Sequence, residues 1–369
     1  MYLNKNEIES IIQKRDLTED KEHCINIVIE KIKEELNKIY SIVPTIEKGN
    51  KIVSLNDNYY ELGYDSKEVT LSNRYTKYID KDTILRTQMT SVIPSLLKNY
   101  SQDQNKLWIC PGIVYRRDIR DKTHVGEPHQ MDIWYLTKEK QSRDDLLNLV
   151  SIIISVIEYY KKVKIKWRYN ETSHHYTDDG IEVEIYYKNQ WLELLECGLI
   201  ARNLLEKNNL TSYSGLALGL GLERIVMIIK DIEDIRLLYS EKIEIKNQLK
   251  NLNKYKQVSN QPAIKRDLSI AIDKNINEEE ITELILSTLN TETHKIIESI
   301  SIIAETYYEN LPKIAIERLG INQNQKNLLI RIILRDLEKT LTNTQANLIY
   351  NKIYEKIHQG SLGYLISDL

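Results

Sequence analysis

The chain has 369 residues, of which 41% are hydrophobic and 28% are charged, and its formal net charge is −3. This length allows two or three domains with cores of their own, and the composition is typical of a folded globular protein and excludes a disordered one. The acidic balance does not indicate a nucleic-acid partner, because a local basic patch would be needed and net charge cannot reveal one.

Three features of composition bear on the surroundings of the protein. The three cysteines are far apart in the sequence and lack metal-binding spacing, which predicts a reduced, cytoplasmic setting. No apolar run reaches the length of a membrane span, and the first ten residues resemble neither a signal nor a transit peptide, so we expect no membrane partner. The chain also contains 24 Tyr but no Phe.

Residues 1–44 form a predicted helical segment, because isoleucines recur there at helical spacing and Pro44 cannot continue a helix. Residues 45–245 alternate between strand and helix patterns. The elements predicted in this stretch are strands at 106–116, 132–136, 181–187 and 191–195, and helices at 144–161 and 222–229. Strands joined by short turns, with helices beside them, predict an α+β domain with an antiparallel sheet.

A linker rich in Asn and Lys is predicted at 246–261, and a second domain at 262–369. Its predicted elements are strands at 267–273, 300–305, 327–334 and 361–366, and helices at 278–289 and 342–357. This βαββαβ order is typical of a ferredoxin-like domain.

The run Gly215-Leu-Ala-Leu-Gly219-Leu-Gly221-Leu-Glu-Arg224 combines closely spaced glycines with an arginine. Glycine has no Cβ, so a nucleotide can approach the backbone closely, and arginine offers a fork of donors to a phosphate. Alone, such glycines also serve ordinary packing between a strand and a helix. The upstream runs Tyr115-Arg-Arg-Asp118 and His129-Gln-Met-Asp132 favour the nucleotide-binding interpretation, because they supply a second arginine with polar partners.

Together these motifs resemble those of class II aminoacyl-tRNA synthetases, and within that class the phenylalanyl-tRNA synthetase alpha subunit. That family's Arg-x-Asp, Thr-His and Phe-His-Gln-x-Glu are similar to residues 116–118, 123–124 and 128–132. Its Trp-Leu-Glu-Val-Leu-Gly-Cys-Gly is similar to 191–198, and its glycine–arginine run to 214–224. The tail resembles the family's ferredoxin-fold anticodon-binding domain, so the fusion is that of the single-chain, mitochondrial-type enzyme.

The resemblance implies that the chain activates phenylalanine, or a close aromatic analogue, with ATP and Mg²⁺ and transfers it to the terminal adenosine of a tRNA. One anion then attacks another, so the site must neutralise phosphate charge and align the attack. The implied catalytic residues are Arg116, His124 and Arg224. The implied ATP-binding residues are Arg116, Asp118, His124, Glu193, Gly221 and Arg224, with Asp178 and Glu193 as Mg²⁺ ligands.

The implied substrate contacts lie on both domains. The amino acid is expected to bind Ser91, Gln130, Asp132, Tyr176, Glu196, Gly198, Ala217 and Leu218. The tRNA is expected to bind Arg266, Arg331, Arg335 and Lys339, although the second domain has no excess of basic residues. In this scheme Gln130 and Asp132 hold the ammonium of the amino acid, and the small Ala217 bounds the para position of its ring.

The predicted amino-acid pocket departs from the family pattern. The family's Phe-Pro-Phe-Thr-Glu-Pro is replaced by residues 174–179, His-His-Tyr-Thr-Asp-Asp. Because the chain lacks Phe everywhere, replacements at Phe positions say little about the substrate. His175 in place of Pro and Glu196 in place of Gly are informative, since a polar group beside an aromatic pocket is costly unless paired. Either these two side chains turn away, or the substrate carries a polar group.

Two other functions stay open from the sequence. One is a synthetase paralogue that adenylates an amino acid and passes it to an acceptor other than tRNA. The other is a non-catalytic regulator that binds tRNA, which the intact Arg116, Gln130, Glu193 and Arg224 disfavour. The expected state is a monomer, and a homodimer through the catalytic domain stays open. For the missing Phe we hypothesise that a chain without Phe can be made when charged phenylalanine tRNA is scarce; the alternative is lineage drift.

Overall fold

The computed structural model describes residues 2–101, 103–117, 119, 121–258 and 261–361. They form two compact units. The first unit consists of Met1–Arg116, Glu127–Glu233 and Ile243–Lys256, and the second of Arg117–Gly126, Asp234–Lys242 and Gln257–Leu369. Within the described ranges, every helix is too short or too polar to cross a membrane.

The first unit combines a large sheet with helices and a small hairpin. Its strands are β1 (Thr45–Ile46), β2 (Ile52–Ser54), β3 (Thr83–Leu85), β4 (Lys106–Ile113), β5 (His129–Thr137), β6 (Trp167–Glu171), β7 (Thr177–Tyr187), β8 (Gln190–Ile200) and β9 (Ser214–Gly221). Its helices are α1 (Lys5–Ile12), α2 (Cys24–Tyr40), α3 (Leu55–Asn58), α4 (Ile93–Lys98), α5 (Arg143–Lys161), α6 (Arg202–Lys207), α7 (Leu222–Lys230) and α8 (Ile243–Gln248).

The large sheet of the described residues has the strand order β1-β4-β5-β9-β8-β7-β6. Strand β1 pairs with β4 in parallel, and the other neighbours pair antiparallel. The prediction of an antiparallel α+β domain is therefore confirmed. In the register of the central strands, Asp132 on β5 and Glu196 on β8 both lie opposite Gly219 on β9. Because alternate residues of a strand share a face, this row and the rows two residues away project to one side of the sheet.

Helix α5 shows how the sequence determines the packing of this unit. It begins with a capping box, in which Ser142 and Asp145 each accept a hydrogen bond from the other's backbone. Leu146, Leu149 and Ile153 are fully buried at helical spacing, and the helix packs with α2 and α7. Each such side chain contributes roughly 1.5–3 kcal/mol when it is buried.

Two buried polar groups of the first unit differ in their hydrogen bonding. The Lys230 ammonium at the end of α7 is fully buried and donates to the carbonyls of Gln248, Asn251 and Asn253, each at 2.8 Å. These bonds satisfy its three protons and fix the end of α7. By contrast, the hydroxyl of Tyr115 is buried and has no hydrogen-bond partner among the described residues.

The second unit has strands β10 (Ile264–Asp273), β11 (Ile297–Tyr307) and β12 (Gln325–Leu334), and helices α9 (Glu278–Ser287), α10 (Thr291–Ile296), α11 (Lys313–Leu319) and α12 (Asn343–Ile357). Its described strands form an antiparallel sheet in the order β10-β12-β11. Apolar residues of β10, β12, α9 and α12 form one core, which includes Ile270, Ile330, Ile285 and Ile353. The strand predicted at 361–366 lies outside the described residues except for Ser361. The expected ferredoxin-like class is confirmed.

Candidate active site

An open trough runs along the second half of β9. Gly219 and Gly221 lie on the face of the sheet that also carries Asp132 and Glu196. A Cβ built on Gly221 would meet nothing within 4 Å, and one on Gly219 would meet only Asp132 Oδ1, at 3.5 Å. Protein packing therefore does not require glycine at these two positions. The space that they leave is available to a ligand.

Asp132 forms one wall of this trough and is only 3% exposed. Its Oδ2 accepts a hydrogen bond of 2.6 Å from the hydroxyl of Thr90. Burial nevertheless raises the pKa of Asp132 to about 6, because the charged form has lost its hydration. A bound cation would restore part of that lost stabilisation.

The turn at Met89–Val92 lies against β5 and positions two of the predicted amino-acid contacts. The Met89 backbone N–H donates to Gln130 Oε1 at 3.3 Å, which leaves the amide nitrogen of Gln130 to face elsewhere. Ser91 donates its hydroxyl to the Gln88 carbonyl at 2.9 Å and is buried. The structure therefore shows Ser91 bonded within its own turn.

Arg116 is anchored on the same unit by a hydrogen bond of 2.7 Å from Nε to the Thr87 carbonyl. Its positive charge lowers the pKa of Asp132, although burial has the larger, opposite effect. Glu196 has its pKa lowered first by His174 and more weakly by Arg116. The guanidinium is thus electrostatically coupled to both carboxylates of the row. Its predicted partner Asp118 lies outside the described residues.

His124 belongs to the segment that is grouped with the second unit. Its Nδ1 lies 2.8 Å from Asp121 Oδ2. Burial alone would raise the pKa of Asp121, but hydrogen bonds from His124 and Thr123 outweigh it and hold that pKa below its ordinary value. The carboxylate therefore orients the imidazole, and its role toward ATP stays a prediction.

Arg224 stands one turn into α7, after the open glycines. Its Nη1 donates to the Glu193 carbonyl at 2.6 Å and lies 3.4 Å from Glu193 Oε2. The two side chains are 27% and 48% exposed. The guanidinium is thus held in place yet accessible to an anion.

The two predicted Mg²⁺ ligands have different partners. Asp178 Oδ2 accepts the backbone N–H of Arg202 at 3.0 Å, whereas Glu193 contacts Arg224. In the described ranges no group of three or more His, Cys, Asp or Glu is arranged to hold a metal ion. Glu193 does belong to an acidic patch, because burial and the charges of Glu193, Glu196 and Glu184 together raise the pKa of Glu182. That patch suits a magnesium ion that takes its other ligands from phosphate and water.

A small cavity of about 10 Å³, room for roughly one water molecule, continues from the trough. Aromatic and small side chains form much of its wall. The rings of Trp134 and Tyr176 lie 5.9 Å apart, and Ala217 on β9 also lines the cavity. Leu218 contributes to the lining, but strand alternation turns its side chain toward the opposite face. Gly198 serves packing, because a Cβ there would lie 2.6 Å from Thr177 Cβ.

The two polar departures in the pocket differ in orientation. His175 turns away: its Nε2 lies 3.3 Å from Glu68 Oε1, and its ring packs 4.3 Å from that of Tyr64. Glu196 instead lines the cavity, 3.4 Å from Nε2 of His174, which also lines it. That Nε2 is buried and makes no hydrogen bond among the described residues.

Two supporting residues lie inside the quoted motifs but were not assigned roles from the sequence. His129 is fully buried, and its Nδ1 lies 2.6 Å from Glu223 Oε1. Its Nε2 accepts the Leu17 backbone N–H at 2.9 Å, so the ring proton must sit on Nδ1 and be donated to Glu223. This bond joins β5 to α7 next to Arg224. In the sequence, the position of Glu223 directly before Arg224 was the one sign that it could support the site.

The predicted tRNA contacts in the second unit are mostly engaged internally. Arg331 donates to both oxygens of Asp267 at 2.8 and 2.7 Å, and Arg335 Nε donates to Glu298 at 2.5 Å. Arg266 donates to the side-chain oxygens of two asparagines on α12. Lys339 is exposed. The first three would have to exchange protein partners for RNA.

Two parts of the chain match known protein families. Residues 7–249 match the model of tRNA synthetases with a class II core domain (F). The chain belongs to that family. Residues 259–362 match the ferredoxin-fold anticodon binding domain, so this class II synthetase carries a second family module after its core.

Curated relatives extend the comparison. The phenylalanine–tRNA ligase, mitochondrial, of Dictyostelium discoideum is 30% identical over 68% of this chain and 62% of its own length. The phenylalanine–tRNA ligase, chloroplastic/mitochondrial, of Arabidopsis thaliana is 29% identical over 63% of this chain and 56% of its own. The probable phenylalanine–tRNA ligase, mitochondrial, of Drosophila melanogaster is 27% identical, with shares of 65% and 62%. The chain thus spans less than two thirds of the length of each.

The expectation of a cytoplasmic setting is wrong on this comparison, because all three of these relatives bear organellar names. The expectation rested on reduced cysteines. Cys24, Cys110 and Cys197 are indeed free and buried. Free buried thiols, however, do not distinguish one reducing compartment from another.

Proposed function

We propose that this chain is an aminoacyl-tRNA ligase that activates phenylalanine, or a close aromatic analogue, with ATP and transfers it to the terminal adenosine of a tRNA. The observation that carries the proposal is the open trough over Gly219 and Gly221. It has a buried carboxylate, Asp132, on one side and an accessible guanidinium, Arg224, beyond its end. A site of this kind receives a cation and an anion side by side, as an amino acid and ATP require.

The chemistry follows from these charges. In the first step an oxygen of the amino-acid carboxylate bonds to the α-phosphorus of ATP, and pyrophosphate leaves. Arg116 would neutralise the charge that builds on the α-phosphate, and Arg224 would hold the terminal phosphate. In the second step a ribose hydroxyl of the tRNA attacks the activated carbonyl, and AMP leaves. Bound magnesium, held by Glu193 with phosphate oxygens, would supply further neutralisation of the phosphates.

Asp132 and Gln130 would position the ammonium of the amino acid, and its ring would lie beside Trp134, Tyr176 and Ala217, whose side chains would have to move apart to admit it. The tRNA part of the proposal is supported by the match of residues 259–362 to an anticodon-binding module and by the names of the relatives. The internal pairing of Arg331 and Arg335 does not add support.

The test is amino-acid-dependent exchange of pyrophosphate into ATP by the purified full chain, with all twenty amino acids in parallel, followed by charging of total tRNA. Exchange that is strongest with phenylalanine, together with charging, is expected. Exchange without charging would indicate an acceptor other than tRNA. A properly folded chain that exchanges with no amino acid would contradict the proposal and favour the non-catalytic regulator.

A further inference from the structure

A single cross-strand row places two carboxylates on either side of a glycine. Asp132 on β5 and Glu196 on β8 are both register partners of Gly219 on β9, so all three lie in one line across adjacent strands. Neighbouring strands are about 4.8 Å apart, which puts the two outer Cα atoms roughly 10 Å from each other. Because Gly219 contributes no side chain, the space above it between the two outer strands is open.

Both acidic residues line the cavity that adjoins this space. Asp132 uses Oδ2 to accept from Thr90, while its Oδ1 lies 3.5 Å from the place where a Gly219 Cβ would be. Glu196 lines the same cavity and has a side chain that is 45% exposed, so its carboxylate stands at the mouth. A primary ammonium makes charge-assisted hydrogen bonds of about 2.7–2.9 Å and fits between two such acceptors.

His174 is the protein partner of Glu196 in this cavity. Its side chain is 90% buried, with Nδ1 2.9 Å from the Thr177 hydroxyl, yet Nε2 makes no hydrogen bond among the described residues. That nitrogen points at Glu196 from 3.4 Å. This contact lowers the pKa of Glu196, so the imidazole keeps the carboxylate charged and is placed to orient it.

We propose that Glu196 is a second receptor for the ammonium of the substrate amino acid, which it grips together with Asp132 above Gly219, and that His174 is the positioning residue for Glu196. This inference rests on the proposed function, since it assigns a contact within that substrate site.

The experiment compares Glu196→Gln with Glu206→Gln, a matched change at an exposed carboxylate that pairs with Arg202 on α6. Three probes are titrated by calorimetry against each full-length protein: phenylalanine, L-phenylalaninol, which keeps the ammonium, and 3-phenylpropanoate, which lacks it. Glu196→Gln should weaken the first two by about tenfold to a hundredfold and leave the third within about twofold. Glu206→Gln should change none of them.

The Michaelis constants in pyrophosphate exchange provide the second readout. Glu196→Gln should raise the constant for phenylalanine and leave that for ATP unchanged. His174→Ala should show the same selective pattern at smaller size, and His174→Gln should restore part of it by keeping a donor. Equal weakening of all three probes, or unchanged phenylalanine binding, would overturn the assignment. If the wild-type chain performs no exchange, the proposed function fails. If the wild type is active and Glu196→Gln has no effect on phenylalanine, the ammonium assignment alone fails.

Discussion

At the start of strand β9 the chain is packed tightly around Gly215, whereas at its end the space above Gly219 and Gly221 is open. A Cβ on Gly215 would collide with the Tyr135 carbonyl and lie 2.6 Å from Ile200 Cδ1, while one on Gly221 would touch nothing within 4 Å. The same residue type therefore serves two purposes six residues apart. At the first position glycine lets strands approach, and at the second it leaves room for a ligand.

The largest effect is expected at Arg224, which follows the open end. Arg224→Ala should lower kcat/KM for pyrophosphate exchange by roughly a hundredfold to a thousandfold, because a preorganised cation for the phosphates is lost. The free energy of unfolding should change little, since the side chain is 27% exposed. Steady-state exchange kinetics and urea unfolding measure the two quantities.

Arg202→Ala is the control for that substitution, because Arg202 is also an exposed arginine with a glutamate partner, Glu206, but lies on α6. It should retain wild-type exchange. An Arg224→Ala protein that is folded and fully active would remove the functional meaning of the open end of β9.

A substitution at the packed end of β9 should lower the free energy of unfolding. Gly215→Ala inserts a methyl group against the backbone of Tyr135, and overpacking of this kind costs about 1–3 kcal/mol. Urea unfolding should show a lower midpoint with a nearly unchanged slope. If Gly215→Ala is as stable as the wild type, the contrast between the two ends of the strand is wrong.

A substitution at the open end should raise the free energy of unfolding. Gly221 has φ −86° and ψ 117°, which alanine adopts without strain, so Gly221→Ala should stabilise the fold by about 0.4–1 kcal/mol. The new methyl group would occupy ligand space, and we expect the Michaelis constant for ATP to rise by about tenfold, equivalent to about 1.4 kcal/mol. Thermal unfolding and exchange kinetics on one preparation test both signs. A gain in stability with unaltered ATP use would show that nucleotide does not approach Gly221.

The last prediction concerns the pH dependence set by Asp132. Its pKa rises from 3.8 to about 6 on folding, so between these values the folded protein binds more protons than the unfolded chain. Its contribution to stability is therefore greatest at low pH and is lost as the pH rises to about 6. The Michaelis constant for the amino acid should move the other way, rising below about pH 6 as the carboxylate is protonated.

Asp132→Asn should remove both dependences. The variant should be more stable than the wild type at neutral pH, since it buries no charge, and should bind the amino acid more weakly at every pH. Unfolding curves at several pH values, together with exchange kinetics, report the two effects. The contribution of Asp132 is the difference in the free energy of unfolding between the wild type and Asp132→Asn. If the wild type gains stability relative to the variant between pH 4 and pH 6, the predicted sign is wrong.

The sequence predicted the strands and helices that carry clear periodicity, and thereby the sheet that bears the motifs. Strand β6, Trp167–Glu171, alternates over only four residues and lacks aliphatic side chains, and the two-residue β1 is too short to show a pattern. Helix α11 at Lys313–Leu319 was missed as well, because it is short.

The individual site residues were harder to predict, because their roles depend on partners that are distant in sequence. Gly215 and Gly221 look alike in the sequence, and only the atoms packed around each of them in the fold distinguish them. His175 and Glu196 were equally plausible as pocket residues, but the first finds Glu68 and the second faces the cavity. The His129 to Glu223 bond joins residues 94 positions apart, which no local pattern can show.

Tyr115 shows what it costs this chain to contain no Phe. Aromatic rings in its interior must be Tyr, Trp or His, so each buried ring carries a polar atom into the core. At Tyr115 the hydroxyl is buried without a partner in the described structure, a desolvation cost that Phe would remove. Folding stability therefore does not account for the choice of Tyr over Phe at this position.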